Sequence, residues 1–234
     1  MMKKTAIVLA MIMLFAALFA GCSGTDSVTD GNASDNINSE KGDSNMLEKY
    51  KETGHPIAVI EMEDGGKIIV ELYDDIAPNT VHNFISLANK GFYDGTIFHR
   101  VIQGFMIQGG DPLGNGTGGP SYCIPGEFKN NNFDNTISHT RGTISMGRRG
   151  SQFADYMYYD TAGCQFFICD ADSTFLDGNY ASFGRVLEGM DVVDAIAATA
   201  KNSSDKPLKD QVMKKVYVET FGKTYEEPVT LAEK

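Results

Sequence analysis

The 234-residue sequence contains no tryptophan, only seven prolines and only four cysteines. So sparse a set of cysteines is not the disulfide framework of a small secreted domain. No H-E-x-x-H, C-x-x-C or Walker A pattern is present, and the four histidines are scattered, so no metal site is predicted. Basic residues are also few, because 20 Lys and Arg stand against 31 Asp and Glu. The resulting net charge of −11 argues against nucleic-acid binding, since phosphates would be repelled.

One glycine-rich run imitates a dinucleotide-binding motif. Residues 114–119 contain the literal pattern G-x-G-x-x-G. A dinucleotide site needs a strand before this pattern and a helix after it, whereas here Pro120 follows at once. We interpret the run as a surface loop.

The N-terminus has the features of an export signal. Lys3 and Lys4 precede fifteen consecutive apolar residues, from Ala6 to Ala20. Fifteen residues are fewer than the ~20 that span a bilayer, which favours a cleaved signal peptide over residues 1–21 rather than a short membrane anchor. Residues 19–22, Phe-Ala-Gly-Cys, resemble the lipobox of bacterial lipoproteins, which implies that Cys22 is lipidated. The expected location is extracytoplasmic, with a lipid anchor in the cell membrane.

The segment that follows is too polar to fold alone. Residues 23–46 are mainly Ser, Thr, Asp, Asn and Gly, and they cannot bury enough surface to offset their ordering entropy. We expect residues 22–47 to be a lipidated, disordered tether. The folded domain is then expected over residues 48–223, followed by a C-terminal tail over residues 224–234.

Periodicity within the folded domain predicts many short strands and two helices. Two alternating segments flank Asp64-Gly65-Gly66, which indicates a hairpin. A helix begins near Pro78 and is stopped by Gly91, with its apolar residues spaced at i, i+3, i+4 and i+7. Further strands are predicted over 96–107, 143–146, 165–169, 181–186 and 211–220, with a second helix over 190–198. This order indicates a mainly β fold, a closed antiparallel barrel capped by two helices.

The most informative stretch runs from Phe98 to Asp111, FHRVIQGFMIQGGD. Strand alternation places Phe98, Arg100 and Ile102 on one face, and Gly104 interrupts the pattern as a bulge or bend would. A guanidinium beside Phe, Met and Gln suits a neutral, partly apolar ligand whose lone pairs need a donor. The stretch resembles the signature of the cyclophilin family of peptidyl-prolyl cis-trans isomerases. Two further matches, CQFFI at 164–168 and FLDG at 175–178 with Phe183-Gly184, follow in the family's order.

The resemblance implies an eight-stranded cyclophilin-like barrel and prolyl isomerase activity on proline-containing polypeptides, here newly exported proteins. It implies three catalytic positions: Arg100 as the principal catalytic residue, Gln108 as its positioner, and Phe105 in the wall that binds the proline ring. It also implies substrate-binding positions, at His99, Met106, Gly116, Met146, Gly147, Gln165, Phe166, Phe167, Phe175, Leu176 and Tyr180. No cofactor and no metal are expected, because rotating an amide breaks no bond.

Three departures from the family pattern stand out. Phe175 replaces a common tryptophan, so only weak binding of cyclosporin-type inhibitors is expected. Tyr180 replaces a common histidine and keeps an aromatic wall. The segment 147–163 is longer than the usual connection in the family and carries an aromatic cluster. It predicts either an altered preference for the substrate residue before proline or a surface loop packed on itself.

Two other functions fit parts of the same sequence. A chaperone or scaffold module would hold proline-containing segments with negligible turnover, although it would not need Arg100. A hydrolase would need a nucleophile and a base, for which Ser145 and His139 are the only nearby candidates. Cys123, Cys164 and Cys169 are expected to be buried as small apolar residues, and the sequence leaves open whether two of them form a disulfide bond.

Overall fold

The computed structural model describes residues 46–150 and 155–233. The predicted signal peptide, Cys22 and nearly all of the predicted tether lie outside these residues. Within the described ranges no helix combines the length and apolarity needed to cross a bilayer.

The described chain is built mainly from short strands. These are β1 (Ile57–Met62), β2 (Lys67–Leu72), β3 (Arg100–Ile102), β4 (Met106–Gly109), β5 (Tyr122–Cys123), β6 (Thr143–Met146), β7 (Phe166–Cys169), β8 (Ser182–Glu188), β9 (Met213–Glu219) and β10 (Leu231–Ala232). The α-helices are α1 (Pro78–Asn89) and α2 (Met190–Ala197). Short 3₁₀ helices cover Glu48–Thr53, Lys129–Asn131, Asp155–Tyr158 and Thr174–Leu176.

Eight of the strands form one antiparallel sheet in the order β3-β4-β7-β6-β8-β2-β1-β9. The sheet curls so that Ile97, just before β3, forms an isolated antiparallel bridge with Val212, just before β9. The two ends of the sheet therefore meet through a bridge and not through a full strand ladder. The predicted mainly β, eight-stranded antiparallel fold with two helices is confirmed.

Helix α1 fills one end of the curled sheet. Pro78 begins it, as suits a residue without an N–H, and Gly91 follows its end with φ +65°. The predicted apolar face is buried, with Val81 and Phe84 fully inaccessible. Phe84 lies against three aromatic side chains of the core, those of Tyr93, Phe166 and Phe183. This packing closes the principal hydrophobic core.

The predicted single strand over residues 96–107 is wrong. The chain turns back between Ile102 and Met106, so that β3 and β4 form a hairpin. Gly104 sits in this turn with φ +75°, a conformation that glycine adopts without steric cost. The Phe105 N–H donates to the Ile102 carbonyl at 3.0 Å and tightens the turn. Gly104, for which a bulge or a bend was predicted, lies in a hairpin turn, and this turn brings Arg100 opposite Gln108.

The C-terminal tail is attached along the domain. Asn79 exchanges two hydrogen bonds with the backbone of Val229, at 3.1 and 2.7 Å. Strand β10 then pairs with β5, and neither of these two strands was predicted from the sequence. Near the N-terminal end of the described chain, Leu47 is 1% exposed and packs in a small cluster with Ile57 and Ile69.

Candidate active site

A second apolar cluster lies outside the main core, on the opposite face of β4 and β7. Met106 and Phe167 are 2% and 5% exposed, and they pack with Cys169. Four partly buried side chains complete the cluster, those of Ile102, Phe105, Leu176 and Tyr180. Alternation explains the separation, because Phe166 points into the core while the next residue, Phe167, points outward. The cluster forms an apolar surface beside the β3–β4 hairpin.

Arg100 lies at the edge of this apolar cluster. Its guanidinium Nη1 is 4.0 Å from the sulfur of Met106, and its side chain is 41% exposed. The Nε edge faces the Asp205 carboxylate at 3.9 Å, which is too long for a tight ion pair. The carboxylate therefore approaches one edge of the guanidinium, while a terminal nitrogen lies against the apolar cluster.

Asp205 is held in place by contacts with Val101, the residue after Arg100, and with Lys201. Its backbone has φ +61°, an uncommon value for a residue other than glycine. Its carbonyl accepts the Val101 N–H at 2.8 Å, and Lys201 bridges the Val101 carbonyl and the Asp205 carboxylate at 2.9 and 2.7 Å. The Lys201 ammonium lowers the pKa of Asp205 and keeps it ionised. Sequence reasoning missed this residue, which lies over 100 positions from Arg100.

A chain of amide hydrogen bonds runs from Gln108 away from the cluster. The Gln108 Nε2 donates to the Gln165 side-chain oxygen at 3.0 Å. The Gln165 Nε2 donates to the carbonyls of Gly116 and Gly118, at 3.1 and 3.0 Å. Both amide orientations are therefore fixed by carbonyl acceptors of the glycine-rich loop. Gly147 lies close to both glutamines, and a Cβ there would be in contact with them.

The glycine-rich loop is organised by the buried carboxylate of Asp111. This carboxylate accepts the N–H groups of Leu113, Asn115 and Gly116 at 2.8, 3.0 and 2.5 Å. Burial raises the pKa of Asp111, but the backbone donors outweigh it and bring the pKa below its usual value. A Cβ at Gly118 would overlap the carboxylate. The pattern that imitated a nucleotide motif thus wraps around an internal anion, and sequence reasoning missed the role of Asp111.

His99 lies beneath the same loop. It is 6% exposed, and its Nδ1 has no hydrogen-bond partner among the described residues. Burial lowers the pKa of His99, although nearby Asp111 opposes the shift. A Cβ at Gly116 would lie 3.8 Å from the His99 Nε2. His99 therefore adjoins the glycine-rich loop.

Two aromatic residues border the apolar cluster. Phe175 is 70% exposed and its ring lies 5.5 Å from that of Phe105. Tyr180 meets Phe167 edge-to-face, with ring centroids 5.8 Å apart. Phe166 and Met146 are instead buried in the main core, so their side chains do not reach this surface. The structure thus brings together most of the predicted positions, while the side chains of these two face the other way.

The hydrolase candidates form a contact that resembles a catalytic triad. His139 contacts Ser145 Oγ through Nε2 at 3.0 Å and Asp177 Oδ1 through Nδ1 at 2.8 Å. Ser145 and His139 are, however, inaccessible to solvent, so a substrate carbonyl cannot reach the hydroxyl. The His139 ring stacks on Phe167 at 5.9 Å, with 15° between their planes. This network supports the apolar cluster from behind.

The other reactive groups of the described chain lie elsewhere. His55, Asp74 and Asp75 have ligand atoms within 4.8 Å of one another. Both nitrogens of His55 already face carboxylates, those of Glu71 at 3.0 Å and Asp75 at 3.3 Å. Three buried, unbridged thiols are present, at Cys123, Cys164 and Cys169. Burial raises the pKa of the last two thiols to about 12, which makes them unreactive as nucleophiles.

A cavity of about 410 Å³ adjoins the two glutamines. The glycine-rich loop forms one wall, and residues 147–149 form another. Arg149 and Glu233 also line it, and they are paired at 2.9 Å. The cavity therefore offers polar and charged groups next to the amide chain.

Known proteins resemble the described domain over most of its length. Residues 57–218 match the family model described as cyclophilin type peptidyl-prolyl cis-trans isomerase/CLD. The chain is 45% identical over 158 residues to peptidyl-prolyl cis-trans isomerase B of Bacillus subtilis, covering 68% of this chain and 94% of that protein. It is 47% identical over 128 residues to a peptidyl-prolyl cis-trans isomerase of Synechococcus elongatus, covering 55% and 78% respectively.

Solved structures similar to this chain are of the same type of protein. A crystal structure of a Cryptosporidium parvum cyclophilin type peptidyl-prolyl cis-trans isomerase superposes with a TM-score of 0.62 and 30% identity, covering 70% of this chain and 97% of that one. A second structure of that protein, in the presence of the dipeptide Ala-Pro, gives a TM-score of 0.61.

Proposed function

This chain belongs to the cyclophilin family of peptidyl-prolyl cis-trans isomerases, and we propose that it lowers the rotation barrier of X-Pro bonds electrostatically, without a cofactor. The barrier of ~18–20 kcal/mol arises from amide resonance. Rotation breaks no bond and therefore needs no nucleophile or metal. It needs the proline ring to be held, and the twisted amide to be bound more tightly than the planar one.

The apolar cluster around Phe167 is suited to hold the ring. Met106 and Phe167 provide a buried floor, while Phe105, Leu176 and Tyr180 are partly exposed around it. A proline ring placed there would be removed from water and would remain fixed while the preceding residue turns. The proposed proline pocket therefore consists of these five side chains.

Arg100 carries the proposal, because it is a cation at the border of that pocket. The twisted amide has a nitrogen with a regained lone pair, which can accept a hydrogen bond that the planar amide cannot. The guanidinium remains charged at any relevant pH and presents several N–H donors. A donor that meets charge only in the twisted state stabilises the transition state selectively. Asp205 on the Nε edge leaves the terminal nitrogens for the substrate.

The same geometry bears on the alternative, a binding module with negligible turnover. Such a module would need only the apolar pocket. The placement of Arg100 against Met106, and the construction of the Asp205 loop beside it, favour catalysis.

One experiment separates the functions. Cis-to-trans conversion of an X-Pro peptide is followed by NMR exchange, with the wild-type chain and with Arg100→Ala. The isomerase gives exchange that falls strongly in the variant, and a binding module gives little exchange with either protein. A hydrolase gives cleaved peptide. Preserved exchange in Arg100→Ala would contradict the electrostatic mechanism while leaving the family assignment intact.

The cellular role that we propose is assistance to the folding of exported proteins at the outer face of the cell membrane. The observations that support it are the predicted signal peptide and the lipobox-like residues 19–22. Incorporation of a fatty-acid analogue, compared between the wild-type chain and Cys22→Ala, tests the anchor. Labelling that persists in the variant would contradict it.

Substrate preference and inhibitor binding complete the proposal. The cavity beside Gln108 and Gln165 is lined by residues 147–149, which supports a role for the 147–163 segment in selecting residues before proline. A peptide library that varies this position tests the preference. Phe175 has no indole N–H to donate, so cyclosporin-type inhibitors are proposed to bind weakly.

A further inference from the structure

The 147–163 segment contains an arginine that is almost fully buried. The side chain of Arg148 is 3% exposed, whereas its neighbour Arg149 is 47% exposed. Arginine is rarely buried unless its charge is paired and its donors are used. The position of Arg148 therefore requires an explanation within the fold.

Four hydrogen bonds fix the guanidinium of Arg148. Its two terminal nitrogens bind both carboxylate oxygens of Asp155, at 2.9 and 2.7 Å. Its Nε donates to the Asn179 carbonyl at 2.9 Å, and Nη1 also donates to the Arg149 carbonyl at 2.9 Å. Such a bidentate pair restricts both the position and the plane of the guanidinium. Arg148 thus joins the 147–163 segment to the backbone just before Tyr180.

Aromatic rings surround the same cation. The guanidinium carbon lies 4.6 Å from the ring centroid of Tyr180, 5.2 Å from that of Tyr159 and 5.5 Å from that of Phe128. All three distances fall within the ~6 Å range of cation–π attraction, which strengthens when the cation is desolvated. The shortest of the three contacts is the one to Tyr180.

Tyr180 also belongs to the proline pocket. Its ring meets Phe167 edge-to-face on the pocket side. The ring therefore lies between a buried cation and the proposed binding surface. Phe167 and His139 contact this ring as well, at 5.8 and 6.4 Å between centroids, and the cation adds a further restraint that fixes it as a wall of the pocket.

We propose that Arg148 is a positioning residue that holds Tyr180 as a wall of the proline pocket, and that Asp155 fixes Arg148 for this purpose. This inference rests on the proposed proline pocket. It gives the 147–163 segment a role in ring binding, distinct from any role in selecting the residue before proline. Arg148 does not contact the reacting amide.

Three variants test the inference. Arg148→Met keeps the aliphatic stem against the rings and removes the charge, leaving the partly exposed Asp155 to be solvated. Tyr180→Ala removes the wall, and the double variant combines both changes. Arg141→Met is the matched control, because Arg141 makes a similar bidentate pair with Asp194, at 2.7 and 2.9 Å. Peptide affinity and the isomerisation rate of bound peptide are measured by NMR titration and exchange.

The expected result is a selective loss of affinity. In Arg148→Met the Kd of an X-Pro peptide rises about 5- to 10-fold, which corresponds to the loss of a cation–π contact and of the pairing that fixes the cation. The rate for bound peptide stays within about twofold, because Arg100 is intact. The double variant binds no more weakly than Tyr180→Ala, since two residues that act through one contact are not additive. Arg141→Met binds as the wild-type chain does.

Other outcomes overturn the inference. An unchanged Kd in Arg148→Met, or losses that multiply in the double variant, would show that Arg148 does not act through Tyr180. An unchanged Kd in Tyr180→Ala would remove Tyr180 from the pocket, and the inference with it, without touching isomerase activity. If thermal unfolding shows that Arg148→Met is not folded, Asp155→Asn replaces it. That variant is expected to raise the Kd about two- to threefold, and no change would again overturn the inference.

Discussion

Replacing Arg100 by lysine separates charge from geometry in the proposed mechanism. Lysine keeps the positive charge but has one compact ammonium on a flexible stem, whereas arginine has a planar fork of donors. In this site the fork faces in two directions, with Nε toward Asp205 and Nη1 toward Met106. A single ammonium cannot occupy both positions. We therefore expect Arg100→Lys to lose much of the activity that Arg100 supports.

The exposure of Arg100 sets the expected magnitude. In a water-excluded site, one donor aimed at charge that develops only in the transition state contributes about 3–4 kcal/mol. Arg100 is 41% exposed, so solvent screens this contact and a smaller value of about 2–3 kcal/mol is appropriate. Arg100→Ala should then reduce kcat/KM about 30- to 150-fold. Arg100→Lys should recover less than half of that free energy, a reduction of at least about 5-fold.

The assay is NMR exchange on an X-Pro peptide with both variants at equal concentration. Arg141→Lys is the control, because it makes the same chemical change at a bidentate pair with Asp194. If Arg100→Lys retained wild-type activity, charge alone would be sufficient and the fork geometry would be irrelevant. If Arg100→Ala stayed within about threefold of the wild type, electrostatic stabilisation by Arg100 would be refuted.

Four further predictions concern the surroundings of the site. Asp111→Asn should lower the free energy of unfolding by about 2–3 kcal/mol, because an amide NH₂ would face backbone donors, and it should lower kcat/KM by loosening the glycine-rich loop. Urea unfolding measures the first effect and NMR exchange the second. An unchanged isomerisation rate would show that the conformation of the loop does not affect the active site. Ser145→Ala and the wild type should both leave peptides uncleaved on chromatography, since the hydroxyl is buried. Burial lowers the pKa of His99 and His139, so the unfolded chain binds their protons first. Stability should therefore be complete above about pH 6.5 and fall as the pH decreases below it, and a melting temperature that rose on acidification would contradict this. Phe175→Trp should tighten the binding of a cyclosporin-type inhibitor in a competition assay, and unchanged affinity would remove Phe175 from the explanation.

Local patterns were enough to predict the hairpin and the helices. Alternation around Asp64-Gly65-Gly66 and the apolar spacing from Val81 to Ala88 depend on neighbours within a few residues, and both are confirmed. The hairpin at Gly104 was missed because a glycine with apolar neighbours fits either a bulge or a turn. Only the pairing of Arg100 with Gln108 distinguishes them. The family resemblance supplied the number of strands in the sheet, eight, which periodicity alone did not determine.

The site was only partly predictable from the sequence. Motif matches named the pocket residues, and the structure places Met106, Phe167 and Tyr180 together. They gave no indication of Asp205, because its contact with Arg100 depends on how a distant loop returns to β3. Nor did they indicate that Arg148 is buried, since arginine in a long polar connection is ordinarily exposed. Long-range contacts of this kind are determined by the tertiary fold and leave no local pattern.

Strand β7 has no face toward water. Phe166 and Ile168 belong to the main core, while Phe167 and Cys169 belong to the apolar cluster that contains the proposed proline pocket. Close-packed interiors transmit small displacements, so a volume change behind β7 shifts the residues in front of it. Substitutions selected for thermal stability at Phe166 or Ile168 should therefore alter turnover as well. Along these four residues, stability and catalytic rate cannot be varied independently.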